Sequence, residues 1–310
     1  MILLKVLFDN FDGIGMDLQK YLPQSNSDTV YHYTPIGNWQ NILLPCEKES
    51  FISFIASRID SLNDYMENQF ATKIYKEVLD ELLSEGVITF EQKDLLENVK
   101  ADSKIPMKNG INEKYEDCYI YVLCFSKNKD LLNMWKYYSK SSGYEAISIG
   151  LSNDFVDNVL ERESPHEIIA YPVVYDEAEQ RQYIRSFLIE FLEKAKEIVL
   201  IDDVDFINTF VADALSIWNV LFKSVYFSDE QEVRAVLFLP KSSKEVKYRT
   251  SNQLIIPYVS HLIDKNCVKE ICVGPLDFKS RKQNVSVLQE ALKHKFPDIN
   301  IDWSKITLRF

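Results

Sequence analysis

The run from Cys118 to Ser126 constrains the fold of this chain more than any other segment. Its residues are apolar or aromatic up to the terminal serine, so a strand built from them has two apolar faces. A strand of that kind is covered on both sides, as in the middle of a sheet. The run therefore predicts a central strand, and the chain is predicted to fold around a sheet.

The rest of the chain predicts an irregular mixture of strands and helices. Further strands are predicted at 29–34, 51–56, 144–150, 168–175, 232–239, 246–249 and 268–273, with a last strand ending at Phe310. A helix is predicted from Pro35, with Thr34 as its cap, and another from a Thr89–Gln92 capping box to about Val99. Further helices are predicted from Asn63 to Gly86, around 130–138, across 177–226 with a break near 202–203, and from about 280 to 294. Residues 101–117 are polar and are predicted to form a surface loop.

We interpret this pattern as an α+β protein with a mixed sheet, since a doubly wound parallel sheet requires more regular alternation of strand and helix. An N-terminal segment, 1–28, precedes a single domain that spans 29–310. Helical insertions interrupt the sheet at about 64–115 and at 177–222.

Composition and motifs disfavour several classes of function. The 47 acidic residues outnumber the 35 basic ones, and a net charge of −12 repels nucleic-acid phosphates. There are only 8 glycines and neither GxGxxG nor a GxxxxGK loop, so a glycine-rich phosphate cradle is not expected. The four histidines lie far apart, which disfavours a zinc site, and the lack of GxSxG disfavours a Ser-His-Asp hydrolase.

The sequence favours a cytoplasmic protein without membrane contact. Its five cysteines form no CxxC pair, and four of them stand in apolar contexts where a reduced Cys acts as a small hydrophobe. The apolar start is interrupted by Lys5 and ended by Asp9, which is too short for an export signal. No apolar run reaches the length of a membrane span.

Three segments combine residues that are able to do chemistry. They are Tyr31-His32-Tyr33-Thr34 on a strand, Cys124-Phe125-Ser126 followed by Trp135, Tyr137 and Tyr138, and Glu230 to Arg234. Alternation along a strand places Glu230, Glu232 and Arg234 on one face, which is either a solvated edge or a site. Each segment also has an ordinary explanation, namely a half-buried histidine, packing aromatics and weak surface ion pairs.

Together these segments resemble a large bacterial family, catalogued as domain of unknown function 2971. The matching motifs run in order from Tyr31 to Arg309: Tyr31-His32-Tyr33-Thr34, Ser61-Leu62-Asn63-Asp64-x-x-Glu67, Cys124-Phe125-Ser126 with Trp135 and Tyr138, Lys223-x3-Phe227-x2-Glu230-x-Glu232-x-Arg234, Val246 to Arg249, Val273-Gly274-Pro275 and Ser304 to Arg309.

The layout also resembles the ADP-ribosyltransferase fold, although the conspicuous tyrosine of that fold has no obvious counterpart. The resemblance implies that NAD is cleaved as a substrate, with Glu232 opposing the charge of an oxocarbenium-like ribose, His32 holding a ribose hydroxyl and Glu230 acting on the acceptor. Residues implied in NAD binding are His32, Tyr33, Thr34, Arg58, Phe125, Ser126, Trp135, Tyr138, Arg234 and Arg249, with an arginine among them on the pyrophosphate and an aromatic ring on the nicotinamide.

The resulting expectation is an ADP-ribosyltransferase that modifies a macromolecular acceptor, as a bacterial toxin or phage-defence effector with an antitoxin or defence-system partner. The alternatives are an NAD glycohydrolase, a metal-dependent nuclease using Asp229, Glu230 and Glu232, and a non-catalytic nucleotide-binding module. We expect His32, Glu232 and either Trp135 or Tyr138 to share one cleft, catalysis to need no metal, and Glu232→Gln to remove turnover while leaving folding intact.

Overall fold

A computed structural model describes most of the chain. The described residues are 11–24, 27–45, 49–62, 70–99, 104–109, 114–139, 144–152, 155, 168–197, 204–251 and 253–308. They form a mixed α/β fold in which a large open sheet is packed against several helices. The predicted mixed α/β character is confirmed at this level.

The described strands form one sheet. They are β1 (Thr29–Pro35), β2 (Phe51–Arg58), β3 (Lys104–Asn109), β4 (Lys114–Ser126), β5 (Ala146–Ser152), β6 (Ile168–Pro172), β7 (Glu232–Pro240), β8 (Lys247–Ser251), β9 (Leu254–Asp264), β10 (Val268–Val273) and β11 (Asn300–Trp303). Their main order is β11-β10-β5-β1-β4-β2-β9-β8, with β3 and β7 pairing with β4, and β6 with β7. The β10–β11 pair is parallel, whereas the other described pairs are antiparallel.

The central position predicted for 118–126 is confirmed. Strand β4 pairs with β7 along one edge, and with β1, β2 and β3 in succession along the other. Ile120 and Val122 enter one hydrophobic core, while Leu123 and Phe125 enter a second core on the opposite face. Both faces of the strand are therefore buried, as its composition requires.

The described helices cover both faces of the sheet. They are α1 (Trp39–Leu43), α2 (Phe70–Ser84), α3 (Phe90–Glu97), α4 (Leu132–Tyr138), α5 (Glu177–Glu197), α6 (Val204–Leu221) and α7 (Phe278–Leu292). Side chains of α2, α3, α5 and α6 form the first core together with residues 11–22, and α1 and α7 contribute to the second. None of the helices in the described ranges is both long and apolar enough to cross a bilayer.

The capping box predicted at the start of α3 is confirmed. Thr89 Oγ1 accepts a hydrogen bond from the Gln92 amide at 3.2 Å, and the Gln92 side chain accepts one from the Thr89 amide at 2.9 Å. Before it, Gly86 ends the preceding turn at φ +70°, a conformation that glycine adopts without steric cost.

Several predicted boundaries are wrong. The predicted loop 101–117 contains β3 and the start of β4, because pairing with a strand that is already central outweighs polar composition. The strand β9 is missed, and the last strand ends at Trp303 rather than at Phe310, which lies outside the described residues. Residues 63–69, predicted to begin a helix, also lie outside them.

The helix predicted from Pro35 also begins later than expected. A 3-10 turn, Ile36–Asn38, precedes α1, and Pro35 still belongs to β1. Thr34 therefore does not cap the helix through its backbone amides. Its hydroxyl instead accepts a hydrogen bond from Asn38 Nδ2 at 3.0 Å.

Asp213 on α6 gives a first prediction about stability. Its carboxyl is buried, and this burial raises its pKa to about 7. Because the folded-state pKa lies above the unfolded value, the protein loses stability as the pH rises from about 4 through 7. We expect Asp213→Asn to raise the free energy of unfolding by on the order of 3 kcal/mol at pH 8 and by little at pH 4. Urea denaturation at both pH values measures this, and an equal effect at both would contradict it.

Candidate functional site

Four charged side chains meet where β7 begins. We call Lys223, Glu230, Glu232 and Arg234 the charge cluster. Lys223 follows α6, Glu230 ends a 3-10 turn (Val225–Glu230), and the other two lie on β7. Arg234 is 1% exposed and Glu232 5%, so this strand face is not a solvated edge.

Glu232 is held on both carboxylate oxygens. Arg234 donates from Nε to Oε1 and from Nη2 to Oε2, each at 3.0 Å, in a bidentate pair. Lys223 Nζ lies 3.3 Å from Glu232 Oε2 and 2.6 Å from Glu230 Oε2. Arg234 Nη1 also donates to the Val220 carbonyl at 2.6 Å. These contacts fix Glu232 in place as part of a buried ionic network.

The electrostatics of the charge cluster keep Glu232 ionised. Burial by itself raises the pKa of this carboxyl, but the charges of Arg234 and Lys223 outweigh burial and lower the pKa to about 2. The Cys124 thiol adds a hydrogen bond that acts in the same direction. Glu232 is therefore an anion at every pH at which the protein is expected to work.

Glu230 does not lie on the strand, which corrects the predicted alternation of Glu230, Glu232 and Arg234. Gln231, between the turn and β7, has a left-handed backbone conformation with φ 45°, which breaks the alternation. Glu230 reaches the charge cluster from the 3-10 turn instead. Its side chain is 17% exposed, compared with 6% for Glu232. Glu230 is thus the more accessible of the two carboxylates.

Several uncharged residues surround the charge cluster. Burial raises the pKa of the Tyr138 hydroxyl well above the usual value, and the Glu232 and Glu230 carboxylates act in the same direction. The Tyr175 hydroxyl accepts a hydrogen bond from the Glu232 amide at 3.0 Å, and Ser126 Oγ donates to the Glu230 carbonyl at 2.8 Å. Tyr138 and Ser126, both predicted to bind NAD, therefore lie beside the cluster.

Lys223 and Tyr175 were not predicted as site residues. Lys223 was recognised only as part of a family motif, although a lysine directly after an apolar helix and ahead of two glutamates is a usable signal. Tyr175 has no such signal, because its role depends on the 3.0 Å contact with the Glu232 backbone.

His32 lies on the other face of the sheet from Glu232. Residues paired across antiparallel strands share a face, so Tyr31, Ser126 and Glu232 form one row. His32 follows Tyr31 and points the opposite way, with its ring 5.8 Å from the Phe125 ring in the second core. The expectation that His32 and Glu232 share one cleft is therefore corrected by the strand register, which the sequence does not contain.

His32 fills a gap between strands. Strand β1 pairs with β4 at Ser126, and β2 pairs with the same edge of β4 at Val122. Between these points His32 Nδ1 lies 3.0 Å from the Cys124 carbonyl oxygen. A carbonyl only accepts, so Nδ1 carries the proton. The contact gives the Cys124 carbonyl a hydrogen bond at a position where β4 is registered with neither β1 nor β2.

A pH effect on stability follows from the position of His32. Burial lowers the pKa of the imidazole to about 4, although the Cys124 carbonyl acts in the opposite direction. Since the folded-state pKa is below the unfolded value of 6.5, stability is fully present above pH 6.5 and is lost as the pH falls through about 4. We expect this loss to be on the order of 2 kcal/mol and to be absent in His32→Gln. Denaturation at pH 7 and pH 4.5 measures it, and parallel losses in both proteins would contradict it.

Other predicted residues lie outside the charge cluster. Trp135 is fully buried, donates to Asp130 Oδ1 at 2.7 Å and packs 4.7 Å from the Tyr33 ring, as a packing residue does. Phe125 and Thr34 are buried as well, and Phe125 is in the second core.

The two remaining arginines lie on strands β2 and β8. Arg58 is paired with Tyr121, which is five residues or roughly 16 Å along β4 from Ser126 at the usual rise. Arg249 donates to Ser57 Oγ at 3.1 Å. The predicted NAD-binding residues thus fall into separate groups. Arg234 belongs to the charge cluster, and Tyr138 and Ser126 lie beside it.

Comparison with known proteins adds one match. Residues 134–235 match the model of a family described as "Protein of unknown function (DUF2971)", which covers about a third of the chain. The matched range includes Trp135, Tyr138 and the whole charge cluster. It supports the resemblance drawn from the motifs. No curated protein and no solved structure matches the chain.

Within the described ranges, no group of three or more His, Cys, Asp or Glu side chains is arranged to hold a metal ion.

Proposed function

We propose that the chain is an NAD-cleaving enzyme of the ADP-ribosyltransferase kind, acting at the charge cluster with Glu230 towards the substrate. The observation that carries this proposal is the difference between the two carboxylates. Glu232 is buried and bound on both oxygens, whereas Glu230 is partly exposed and touches Lys223 through Oε2. The role that the ADP-ribosyltransferase resemblance implied for Glu232 therefore passes to Glu230.

The reaction requires a fixed negative charge. Breaking the bond between nicotinamide and ribose releases neutral nicotinamide and leaves positive charge on the ribose, which an acceptor then attacks. A carboxylate beside the ribose stabilises this charge as it develops. Lys223 holds Glu230 in position at 2.6 Å and is itself shared with Glu232, so the buried ion pair sets the geometry of the exposed carboxylate.

Aromatic side chains lie on two elements that border the charge cluster. Tyr138 lies beside the charge cluster on α4, and the neighbouring Tyr137 is 63% exposed. Tyr226, in the 3-10 turn that leads to Glu230, is 91% exposed. Asn133 on α4 donates to Asp229 in that turn at 3.2 Å, which joins the two elements. Flat exposed rings on these two elements suit the stacking of nicotinamide or adenine.

The charges of the cluster argue against the nuclease alternative. A metal site formed by Asp229, Glu230 and Glu232 needs carboxylates whose charge is available to the cation. Here both oxygens of Glu232 already accept hydrogen bonds from Arg234 and Lys223, so one of the three carboxylates is not available to a cation. The non-catalytic alternative remains an outcome of the experiment below.

The test is incubation of the purified protein with NAD that carries a label in its adenylate part, with and without cell lysate. We expect nicotinamide release and transfer of label to a macromolecule, both unaffected by a chelator. Release without transfer indicates a glycohydrolase. NAD that binds without being cleaved indicates a binding module, and nuclease activity that returns with magnesium overturns the proposal.

A further inference from the structure

A second group of polar side chains lies on the face of the sheet opposite the charge cluster. Tyr248 on β8 is paired with Pro257 on β9, and Arg58 on β2 is paired with Tyr121 on β4. The β2–β9 register ends at the Ser57–Tyr258 pair, so Arg58 and Pro257 each lie one residue beyond it and these two pairs are neighbours on one face. This face is on the side of the second core, which includes Tyr121.

Tyr121 carries a buried hydroxyl that needs an explanation. The residue is 1% exposed, and its hydroxyl makes no hydrogen bond with the residues that the structure describes. Buried polar groups are almost always hydrogen-bonded, because leaving one unpaired costs free energy. A ligand that accepts a hydrogen bond from Tyr121 would supply the partner.

Arg58 lies next to Tyr121, its partner in the β2–β4 register. Its Nε donates to Asp60 Oδ1 at 2.7 Å, and its guanidinium lies 4.6 Å from the centre of the Tyr119 ring. These two contacts fix the plane of the guanidinium. The terminal Nη groups make no hydrogen bond within the described part of the chain, so the fork that binds oxyanions is available.

We propose that Tyr121 and Arg58 form an oxyanion site that binds a phosphoryl group, with the Tyr248 ring at its rim. The groups that this pair of residues offers are donors, namely the Tyr121 hydroxyl and the two Nη groups of Arg58. A tetrahedral phosphoryl group offers acceptors to donors from different directions, whereas a planar carboxylate is satisfied by the arginine fork alone. Asp60 is the nearby opposing charge, and its Oδ1 accepts from Arg58 Nε and from Ser61 Oγ.

This site is separate from the charge cluster. Tyr121 lies five residues from Ser126 along β4 and points to the other face. The inference therefore does not depend on the proposed function, and either can fail without the other.

Isothermal titration calorimetry with inorganic phosphate, ADP and acetate tests the site. We expect phosphate and ADP to bind and acetate to bind much more weakly. Tyr121→Phe and Arg58→Gln should each weaken phosphate binding by about tenfold or more, because each removes a hydrogen bond to a charged group. Arg249→Gln makes the same change of charge on the other face of the neighbouring strands and should change the affinity by less than about twofold.

The titration with ADP shows whether the bound phosphoryl group belongs to a nucleotide or is free phosphate. Tighter binding of ADP than of phosphate, lost in Tyr248→Ala, indicates a nucleotide whose base stacks on Tyr248. Equal binding indicates free phosphate. Loss of affinity of the same size in Arg249→Gln as in Arg58→Gln, or no phosphate binding by the wild-type protein, overturns the site.

Thermal melting of the unliganded proteins separates binding from folding. Because the Tyr121 hydroxyl has no described partner, Tyr121→Phe should melt at the same temperature as the wild type or higher. Phosphate should then raise the melting temperature of the wild type but not that of the variant. A lower melting temperature for unliganded Tyr121→Phe would show that the hydroxyl is already bonded in the free protein, and would overturn the inference.

Discussion

Replacing Glu232 with Gln is expected to lower the free energy of unfolding by about 3–5 kcal/mol, because it leaves Arg234 buried without its carboxylate, while Lys223 keeps its contact with Glu230. The sequence predicted the opposite, namely a variant that folds normally. The difference arises because Glu232 is 5% exposed and bound on both oxygens. Urea denaturation followed by circular dichroism measures the effect.

Two comparisons sharpen this prediction. The pKa of Glu232 is lowered to about 2 in the folded protein, so its contribution is present above the ordinary pKa of 4.5 and is lost as the pH falls towards 2. The wild-type protein should therefore approach the variant in stability at low pH. The double variant Glu232→Gln/Arg234→Met should be more stable than Glu232→Gln alone, since it no longer buries the uncompensated guanidinium. A single variant that melts like the wild type would contradict the buried-network interpretation.

Replacing Glu230 with Gln is expected to reduce NAD turnover by about 10²–10³ while changing NAD affinity little. Gln keeps the shape and one acceptor, but it lacks the charge that opposes the developing ribose cation in the transition state. The loss of stability should be smaller than in Glu232→Gln, because Glu230 is 17% exposed and keeps contact with water.

Asp229→Asn is the matched control for this measurement. It makes the same chemical change one residue earlier, at an exposed side chain that bonds Asn133 outside the charge cluster. We expect its turnover to stay within about twofold of the wild type. Equal losses in both variants would favour the nuclease-like arrangement, and a fully active Glu230→Gln would remove Glu230 from the reaction.

Local signals in the sequence predicted the elements that local interactions determine. The Thr89–Gln92 capping box is one case, since both partners lie within one turn. The central strand is another, because burial on both faces requires an unbroken apolar run. By contrast, β9 carries Pro257 within its length, and a proline normally argues against a strand, so this long strand was missed.

The candidate site depended on information that no short segment contains. The sequence placed Glu232 and Arg234 side by side because they are two residues apart on one strand, but it did not predict Lys223 as their partner. The face on which His32 lies depends on how β1 is registered with β4, and a shift of one residue would reverse it. The departure of Glu230 from the strand depends on the positive φ of Gln231, which is rare for a residue other than glycine.

The pairing of distant strands bears on how this protein folds. Strand β2 is joined to β9, and the Tyr31 hydroxyl donates to Glu270, which lies 239 residues later. Closing such long loops costs entropy before the contacts that reward it can form, so sheets of this kind fold slowly. During synthesis, the edge of β2 that binds β9 is therefore unpaired until β9 has been made, and the exposed Ile55 lies on this strand. We expect refolding yield to fall steeply with protein concentration, as it does for chains that expose strand edges before their partners are available.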